Sequence, residues 1–105
     1  ALKQAESSGR PVMVDFYADW CGPCKMLDRQ TYADARVVNA ATNWLSAKID
    51  VDANQNLARE YEVSSIPTIV FISPEGKELS RFSGFVPAPE MLDRMNKAGA
   101  LVGSK

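Results

Sequence analysis

The sequence predicts a single α/β domain in which a central mixed β-sheet is flanked by helices on both faces. Strand-like and helix-like segments alternate along most of the chain, and a hairpin and a final helix complete it. Strands that alternate with helices pair in parallel, whereas the two strands of a hairpin pair antiparallel. One sheet is therefore expected to contain both kinds of pairing. The chain has 105 residues, 46% apolar and 24% charged, which suits one modest core. We therefore expect residues 1–105 to form one domain.

The first half predicts three helical pieces and two strands. Residues 1–8 have a helical pattern, and residues 11–18 form an apolar run typical of a buried strand. A helix is expected after Pro23, and Asp34 is predicted to cap the next one. One face of that piece is predicted to be core: Val37, Val38, Ala41, Trp44 and Leu45. Residues 48–51 then form a short strand.

The second half predicts a helix and then a hairpin. Asn54 is expected to cap a helix that carries the apolar residues Leu57, Ala58 and Tyr61. Residues 68–72 are an apolar strand, and residues 73–76 (SPEG) turn the chain into a weaker strand over residues 78–82. These two strands are predicted to be antiparallel.

A terminal amphipathic helix is predicted after the hairpin. Pro89 suits the first turn of a helix, and Gly99 suits its end. Between them, one face carries Met91, Leu92, Met95 and Ala98. This helix completes the predicted helical layers.

Charge and hydropathy exclude several classes of partner. The 12 basic and 13 acidic residues give a formal net charge of −1, without long runs of either sign. This charge distribution indicates no basic patch that would bind nucleic acid. No apolar stretch approaches the roughly 20 residues that span a bilayer. The chain as given is expected to be soluble and monomeric. Because it begins with Ala rather than Met, removal of an upstream signal peptide, anchor or domain stays open.

The most informative segment is residues 20–25 (WCGPCK), which contains both cysteines. A strand ends before it and a helix begins within it, so Cys21 is expected at the helix N-terminus. Free N–H groups, the helix dipole and Lys25 favour an anion there, which predicts a lowered pKa and makes Cys21 the attacking cysteine. Cys24, one turn later, is expected to lie deeper and to act as the resolving cysteine.

Other uses of the cysteine pair stay open. A purely structural disulfide is possible, but so short a loop would stabilise the fold weakly. Two cysteines without histidine are too few for a zinc site in one chain, so zinc or an iron–sulfur cluster would need a dimer that shares two pairs. A non-catalytic interaction domain is a third alternative. Histidine-dependent hydrolysis is excluded.

Two motifs together resemble the thioredoxin family. Residues 14–25 (VDFYADWCGPCK) are similar to its active-site segment, and residues 65–68 (SIPT) are similar to its substrate-binding proline loop. The resemblance extends from about residue 12 to the C-terminal helix. Residues 17–21 (YADWC) and 30–38 (QTYADARVV) are similar to thioredoxin-like domains of bacterial extracytoplasmic electron-transfer proteins, such as the C-terminal domain of DsbD.

This resemblance implies a thioredoxin fold and a thiol–disulfide oxidoreductase. The implied reaction is reduction of disulfides in partner proteins through a mixed disulfide, with an upstream thiol or dithiol donor and no small-molecule cofactor. Gly22 and Pro23, between the cysteines, accompany reducing relatives more often than oxidants. The resemblance favours a bacterial periplasmic compartment, with the cytoplasm as the alternative.

Asp15 is the second chemical clue. It interrupts an apolar strand, where burial of an ionised carboxylate is costly and its pKa is expected to rise. The resemblance implies that Asp15 is a general base that helps to deprotonate Cys24, and that Lys48 lies beside it. The alternative is that Asp15 faces solvent or a structural water and Lys48 is an ordinary exposed residue.

Pro67 is the third clue. The resemblance implies a cis Ile66–Pro67 bond packed against the redox site, with a plain proline at a strand start as the alternative. The backbone of Ile66 and Thr68 would then pair with an extended substrate segment. The surrounding contact surface is predicted to include Trp20, Gly22, Pro23 and Gly84. For Trp20, simple core or lid packing is the alternative.

Overall fold

A four-stranded mixed sheet lies at the centre of the structure, a computed structural model that describes residues 9–102. Its strands are β1 (Val12–Tyr17), β2 (Leu45–Asp50), β3 (Thr68–Ile72) and β4 (Glu78–Ser83). The helices are α1 (Gly22–Met26), continued by a π-helical segment (Leu27–Thr31), α2 (Ala35–Ala41), α3 (Gln55–Glu60) and α4 (Ala88–Ala100). The helix predicted over residues 1–8 lies outside the described residues.

The strands follow the order β2-β1-β3-β4 across the sheet. Strand β1 pairs in parallel with β2 and antiparallel with β3, which pairs antiparallel with β4. The predicted mixed sheet and hairpin are therefore confirmed. The hairpin turns at Gly76, whose φ of +91° lies in the left-handed region that glycine adopts without steric cost.

Alternating side chains of β1 enter two apolar layers on opposite faces of the sheet. Val12, Val14 and Phe16 pack on the face that α3 covers. Met13 packs on the other face, against residues of the π-helical segment, α2 and α4. Helices thus cover both faces, as predicted. By the same alternation, Asp15 lies on the Met13 side.

Helix α2 begins at its predicted cap, but its buried face is narrower than predicted. The Asp34 carboxylate accepts the Arg36 backbone N–H at 2.8 Å. Val37 is buried, whereas Val38 is 54% exposed, so its assignment to the core is wrong. Each residue turns a helix by about 100°, and this two-turn helix packs through one stripe that leaves Val38 at the rim. Leu45, which was also assigned to this face, lies outside the helix and begins β2.

Two other element ends and one predicted cap differ from the prediction. Strand β2 begins at Leu45, three residues early, because its first half also pairs with β1. Asn54 occupies the N-cap position of α3, but its side-chain amide donates to the Asp50 carbonyl at 3.0 Å and does not cap the helix. Helix α4 continues past Gly99 and ends with Leu101 as a right-handed C-cap, so Gly99 does not terminate it.

Replacing the α2 cap is expected to weaken the fold measurably. Asp34→Ala should lower the free energy of unfolding by about 1 kcal/mol, because the Arg36 N–H loses its acceptor. The matched control is Arg36→Ala, which removes only the exposed side-chain ion pair at 3.0 Å and should change stability by a few tenths of a kcal/mol. Urea denaturation measures both variants. Equal losses would contradict a capping role.

Candidate functional site

A disulfide joins the two cysteines at the start of α1. Cys21 is the N-cap residue, in an extended conformation, which confirms its predicted position at a helix N-terminus. Its Sγ accepts the backbone N–H of Cys24 at 3.2 Å, and the two Cα atoms are 5.3 Å apart. A first-turn N–H group therefore already points at the Cys21 sulfur, and this interaction favours a thiolate once the disulfide is reduced.

Burial does not distinguish the two cysteines in this disulfide form. Cys21 is 3% exposed and Cys24 is 4% exposed, so the prediction that Cys24 lies deeper is wrong here. Both pack in one small cluster with Ala18, against the half-buried side chains of Tyr17 and Ile66. The reason is geometric, because a disulfide across one turn draws both sulfurs into the same contact. The two cysteines differ in position instead, because Cys21 is the N-cap residue and Cys24 lies inside the helix.

An exposed surface surrounds the disulfide. Trp20 is 69% exposed, and its Nε1–H donates to Asp52 Oδ2 at 2.8 Å, so core packing does not explain this residue. Gly22 and Pro23 are exposed beside it. Trp20 and Ile66 line one groove of about 410 Å³ together with Val51, Ala58, Val63, Ser64 and Ser65. The structure thus brings two predicted contact residues together beside Cys21.

The proline loop has the predicted backbone geometry. The Ile66–Pro67 bond is cis, and the Pro67 carbonyl accepts the Gly84 N–H at 2.9 Å. Gly84 has a φ of +92° and open space where a Cβ would lie. Thr68 is buried, and its hydroxyl donates to the Ser65 carbonyl at 2.6 Å. Its side chain is therefore unavailable to a partner, and the predicted contact at Thr68 depends on its backbone alone.

Asp15 is buried in the structure, as its place in an apolar strand predicts. It is 4% exposed, so the alternative in which it faces solvent is wrong. Burial raises its pKa to about 6, which the charge of Lys48 opposes and the charge of Asp28 reinforces. Asp15 and Lys48 are register partners on β1 and β2, which places the predicted lysine on the neighbouring strand.

Lys48 is engaged by several groups. Its Nζ lies 2.9 Å from Asp28 Oδ1 and 3.0 Å from Oδ2, and it lies 4.7 Å from the centre of the Tyr17 ring. Burial lowers the pKa of Lys48, but the hydrogen bond and charge of Asp28, with the charges of Asp15 and Tyr17, raise it overall. Lys48 therefore contacts Asp28 directly and acts on Asp15 only through its charge.

Two residues near Asp15 and Lys48, Asp28 and Tyr32, were not predicted from the sequence. Asp28 lies four residues after Cys24, and that spacing on a helix could have indicated it. Tyr32 lies near Asp15, although their geometry falls outside that of a hydrogen bond, and burial raises the pKa of its hydroxyl. Its placement depends on the π-helical segment, in which the Tyr32 N–H reaches back to the Leu27 carbonyl at 2.8 Å. No sequence pattern signalled this wider turn.

Two further features bear on the alternatives. Within residues 9–102, no cluster of three or more His, Cys, Asp or Glu side chains could hold a metal ion. In the same range, no helix is long and apolar enough to cross a bilayer. The covalent feature of this site is the Cys21–Cys24 disulfide.

Comparison with known proteins places the chain in a family. The thioredoxin family model matches residues 2–97. The solution structure of a Thermus thermophilus thioredoxin superposes with a TM-score of 0.89 at 31% identity, over 99% of this chain and 85% of that one. The reduced C-terminal domain of DsbD from Neisseria meningitidis superposes with a TM-score of 0.78 at 30% identity, over 92% of this chain and 93% of that one.

A full-length relative shows the same likeness over a small part of its length. The thiol:disulfide interchange protein DsbD of Yersinia pestis is 35% identical over 103 residues, which are 92% of this chain and 17% of that protein. The chain thus spans about a sixth of the DsbD relatives that it matches. Together with the Cys21–Cys24 disulfide at a helix N-terminus, these matches show that the chain belongs to the thioredoxin family of thiol–disulfide oxidoreductases.

Proposed function

We propose that this chain reduces disulfide bonds in partner proteins, with Cys21 as the nucleophile and Cys24 as the resolving cysteine. The observation that carries the proposal is the position of Cys21 at the N-cap of α1, beside the exposed groove of Trp20 and Ile66. A thiolate formed there is favoured by the helix terminus and lies next to a surface that a partner can contact.

The reaction transfers two electrons in two exchange steps. In the reduced protein, the Cys21 thiolate attacks one sulfur of the substrate disulfide, and the other substrate sulfur leaves as a thiolate. Cys24 then loses its proton and attacks the Cys21 sulfur, which forms the Cys21–Cys24 disulfide and releases the second substrate thiol. An upstream dithiol reduces the protein again and becomes a disulfide in turn.

Asp15 is proposed to accept the proton of Cys24 during the second step. With a pKa of about 6, its carboxylate is the dominant form at neutral pH and can still take up a proton transiently. The transfer is proposed to pass through a bridging water, since a general base can act through one water molecule. Lys48 tunes Asp15 through its charge.

Partner proteins are proposed to dock on the surface formed by Trp20, Gly22, Pro23, the Ile66–Pro67 segment and Gly84. The exposed ring of Trp20 supplies apolar area, and Gly22 and Gly84 allow close approach of a partner backbone. The backbone of Ile66 and Thr68 is proposed to pair with an extended segment of the partner. We further propose that residues 1–105 act as one monomeric domain.

Truncating Trp20 is expected to weaken the binding of protein substrates but not of small disulfides. Trp20→Ala should lower kcat/KM for a protein disulfide by about tenfold, because large exposed aromatic residues are common binding hot spots. Trp20→Phe keeps a ring but loses the bond to Asp52, so it should lose less. A small aromatic disulfide serves as the control substrate and should react equally with both variants. An equal loss for both substrates would argue against docking at Trp20.

Reductase activity is tested by reduction of insulin disulfides with dithiothreitol as the donor. The chain at micromolar concentration should accelerate the reaction at least about tenfold over dithiothreitol alone. The oxidised chain without a donor should give no turnover, because two electrons must be supplied for each disulfide. Absence of acceleration would favour the non-catalytic interaction domain.

A further inference from the structure

Two buried polar atoms lie together on the Asp15 side of the sheet. Asp15 is in β1, on the face that the π-helical segment covers, and Tyr32 directly follows that segment. Asp15 Oδ1 and the Tyr32 hydroxyl are closed off from solvent, and neither has a hydrogen bond of ordinary geometry within residues 9–102. Because a buried polar group is costly when it stays unpaired, each of these atoms requires a partner.

Burial and three neighbouring side chains determine the charge of Asp15. Burial raises its pKa to about 6, the charge of Lys48 on β2 lowers it, and the charge of Asp28 raises it. The interaction with the Tyr32 hydroxyl lowers it as well. From β3 the register partner of Asp15 is the apolar Ile69. Because Lys48 and Asp28 bond to each other, the Tyr32 hydroxyl is the neighbour whose hydrogen-bonding capacity is still unused within residues 9–102.

The Tyr32 hydroxyl can act on Asp15 only as a donor when the carboxylate is ionised. Burial and the charge of Asp15 raise the pKa of Tyr32, so its hydroxyl keeps its proton at neutral pH. An ionised carboxylate is an acceptor and has no proton to give. A donor beside a carboxylate favours the charged form over the neutral form. Tyr32 therefore opposes the effect that burial has on Asp15.

The π-helical segment determines where Tyr32 lies. The Tyr32 N–H donates to the Leu27 carbonyl at 2.8 Å across this wider turn. The preceding residue, Thr31, is buried, and its hydroxyl donates to the Val86 carbonyl at 2.5 Å, which ties the end of the segment to the loop before α4. A π-helical turn holds one residue more than an α-helical turn, and such turns are frequent at functional sites. The segment thus places Tyr32 beside Asp15.

We propose that Tyr32 is a positioning residue, which holds Asp15 in its ionised form by directing its hydroxyl at Oδ1. The contact is wider than a hydrogen bond in this structure and is expected to tighten around the charged carboxylate, as catalytic contacts commonly do. The other oxygen, Oδ2, then stays available to the bridging water of the proposed proton transfer. The tuning of Asp15 depends on the fold alone, whereas its effect on catalysis rests on the proposed function.

The test is a ¹³C NMR titration of the oxidised chain, in which the carboxyl carbon of Asp15 reports its pKa. We expect Tyr32→Phe to raise that pKa by at least about half a unit, because the charged form loses its donor. The matched control is Tyr61→Phe, since Tyr61 packs against Phe16 on the other face of the sheet. It should leave the pKa of Asp15 unchanged. An unchanged or lower pKa in Tyr32→Phe would overturn the proposal.

A second measurement uses the native chain and does not depend on the folding of a variant. The ring carbon that bears the Tyr32 hydroxyl should shift with the apparent pKa of Asp15, because the bond from that hydroxyl is stronger to a charged acceptor. The same carbon of Tyr61 should not shift with that pKa. Absence of the shift at Tyr32 would also overturn the proposal.

The rate of mixed-disulfide resolution separates this inference from the proposed function. In Tyr32→Phe, the pH at which the rate is half-maximal should rise by the same amount as the pKa of Asp15. A raised pKa with an unchanged rate profile would support the tuning of Asp15 by Tyr32 and refute Asp15 as the base. An unchanged pKa would refute the inference whatever the rate.

Discussion

Replacing Cys21 with serine is expected to lower the rate of protein disulfide reduction by a factor on the order of 10³ or more. A serine hydroxyl cannot form the mixed disulfide, and loss of a nucleophile leaves only residual activity. Cys24→Ser is expected to abolish turnover differently, because Cys21 still attacks but the mixed disulfide is not resolved. The measurement combines steady-state rates with non-reducing electrophoresis of each variant incubated with a disulfide-containing protein.

The two serine variants act as controls for each other. A covalent adduct, sensitive to reductant, should accumulate with Cys24→Ser and be absent with Cys21→Ser. An adduct formed by Cys21→Ser would reverse the proposed roles, since burial in the disulfide form is nearly equal for the two residues. Retention of activity by Cys21→Ser would exclude the proposed mechanism.

Replacing Asp15 with asparagine is expected to stabilise the oxidised protein at neutral pH. The folded-state pKa is about 6 and the unfolded value 3.8, so ionisation is disfavoured in the folded state. Well below pH 3.8 both states are protonated, and the ionisation of Asp15 costs no stability. As pH rises from about 4 to 6 the unfolded state gains stability, and above pH 6 the cost levels off at roughly 3 kcal/mol for a shift of about two units.

Urea denaturation at pH 3.5 and pH 8 measures this cost. The free energy of unfolding of Asp15→Asn should exceed that of the native sequence by up to about 3 kcal/mol at pH 8, with little difference at pH 3.5. The matched control is Asp93→Asn on α4, an exposed carboxylate that pairs with Lys97 at 3.0 Å. It should show no such gain. A loss of stability at pH 8 would contradict the buried, unpaired state of Asp15.

The same variant tests the proton-transfer role separately from stability. If Asp15 accepts the Cys24 proton, resolution of the mixed disulfide should slow in Asp15→Asn, and a rate dependence with an apparent pKa near 6 should disappear. An unchanged resolution rate together with increased stability would leave Asp15 as a buried acid without a role in resolution.

Local signals in the sequence predicted most of the fold. Strand β3 has its predicted bounds, because five consecutive apolar residues form a strand that is buried throughout. Helix α2 begins at its predicted cap because Asp34 acts through its own neighbouring N–H groups. The predictions are wrong where tertiary contacts determine the burial of a residue or the end of a helix. Val38 has an apolar side chain but lies at the exposed rim of α2. Gly99 lies inside α4, which continues to Ala100, since context can override the weak helix propensity of glycine.

The candidate site also has features that local sequence predicts and features that only tertiary contacts determine. Cys21 at the helix start and the burial of Asp15 follow from residue type and position in the chain. The pair of Lys48 with Asp28 depends on how β2 and the π-helical segment meet, and the place of Tyr32 depends on that segment. The cis bond before Pro67 came from the family resemblance and not from base rates, since X–Pro bonds are cis in only about 5–6% of folded cases.

The reduction potential of the Cys21–Cys24 couple is the most direct test of the proposed direction of electron flow. It is measured by equilibration with a reference dithiol, with Cys21→Ser as the control that cannot form the disulfide. Reducing thioredoxins have potentials of about −270 mV, and strongly oxidising relatives have potentials of about −120 mV. We predict a value below roughly −230 mV for this chain. A value near the oxidising limit would contradict the reductase and indicate disulfide formation in partner proteins instead.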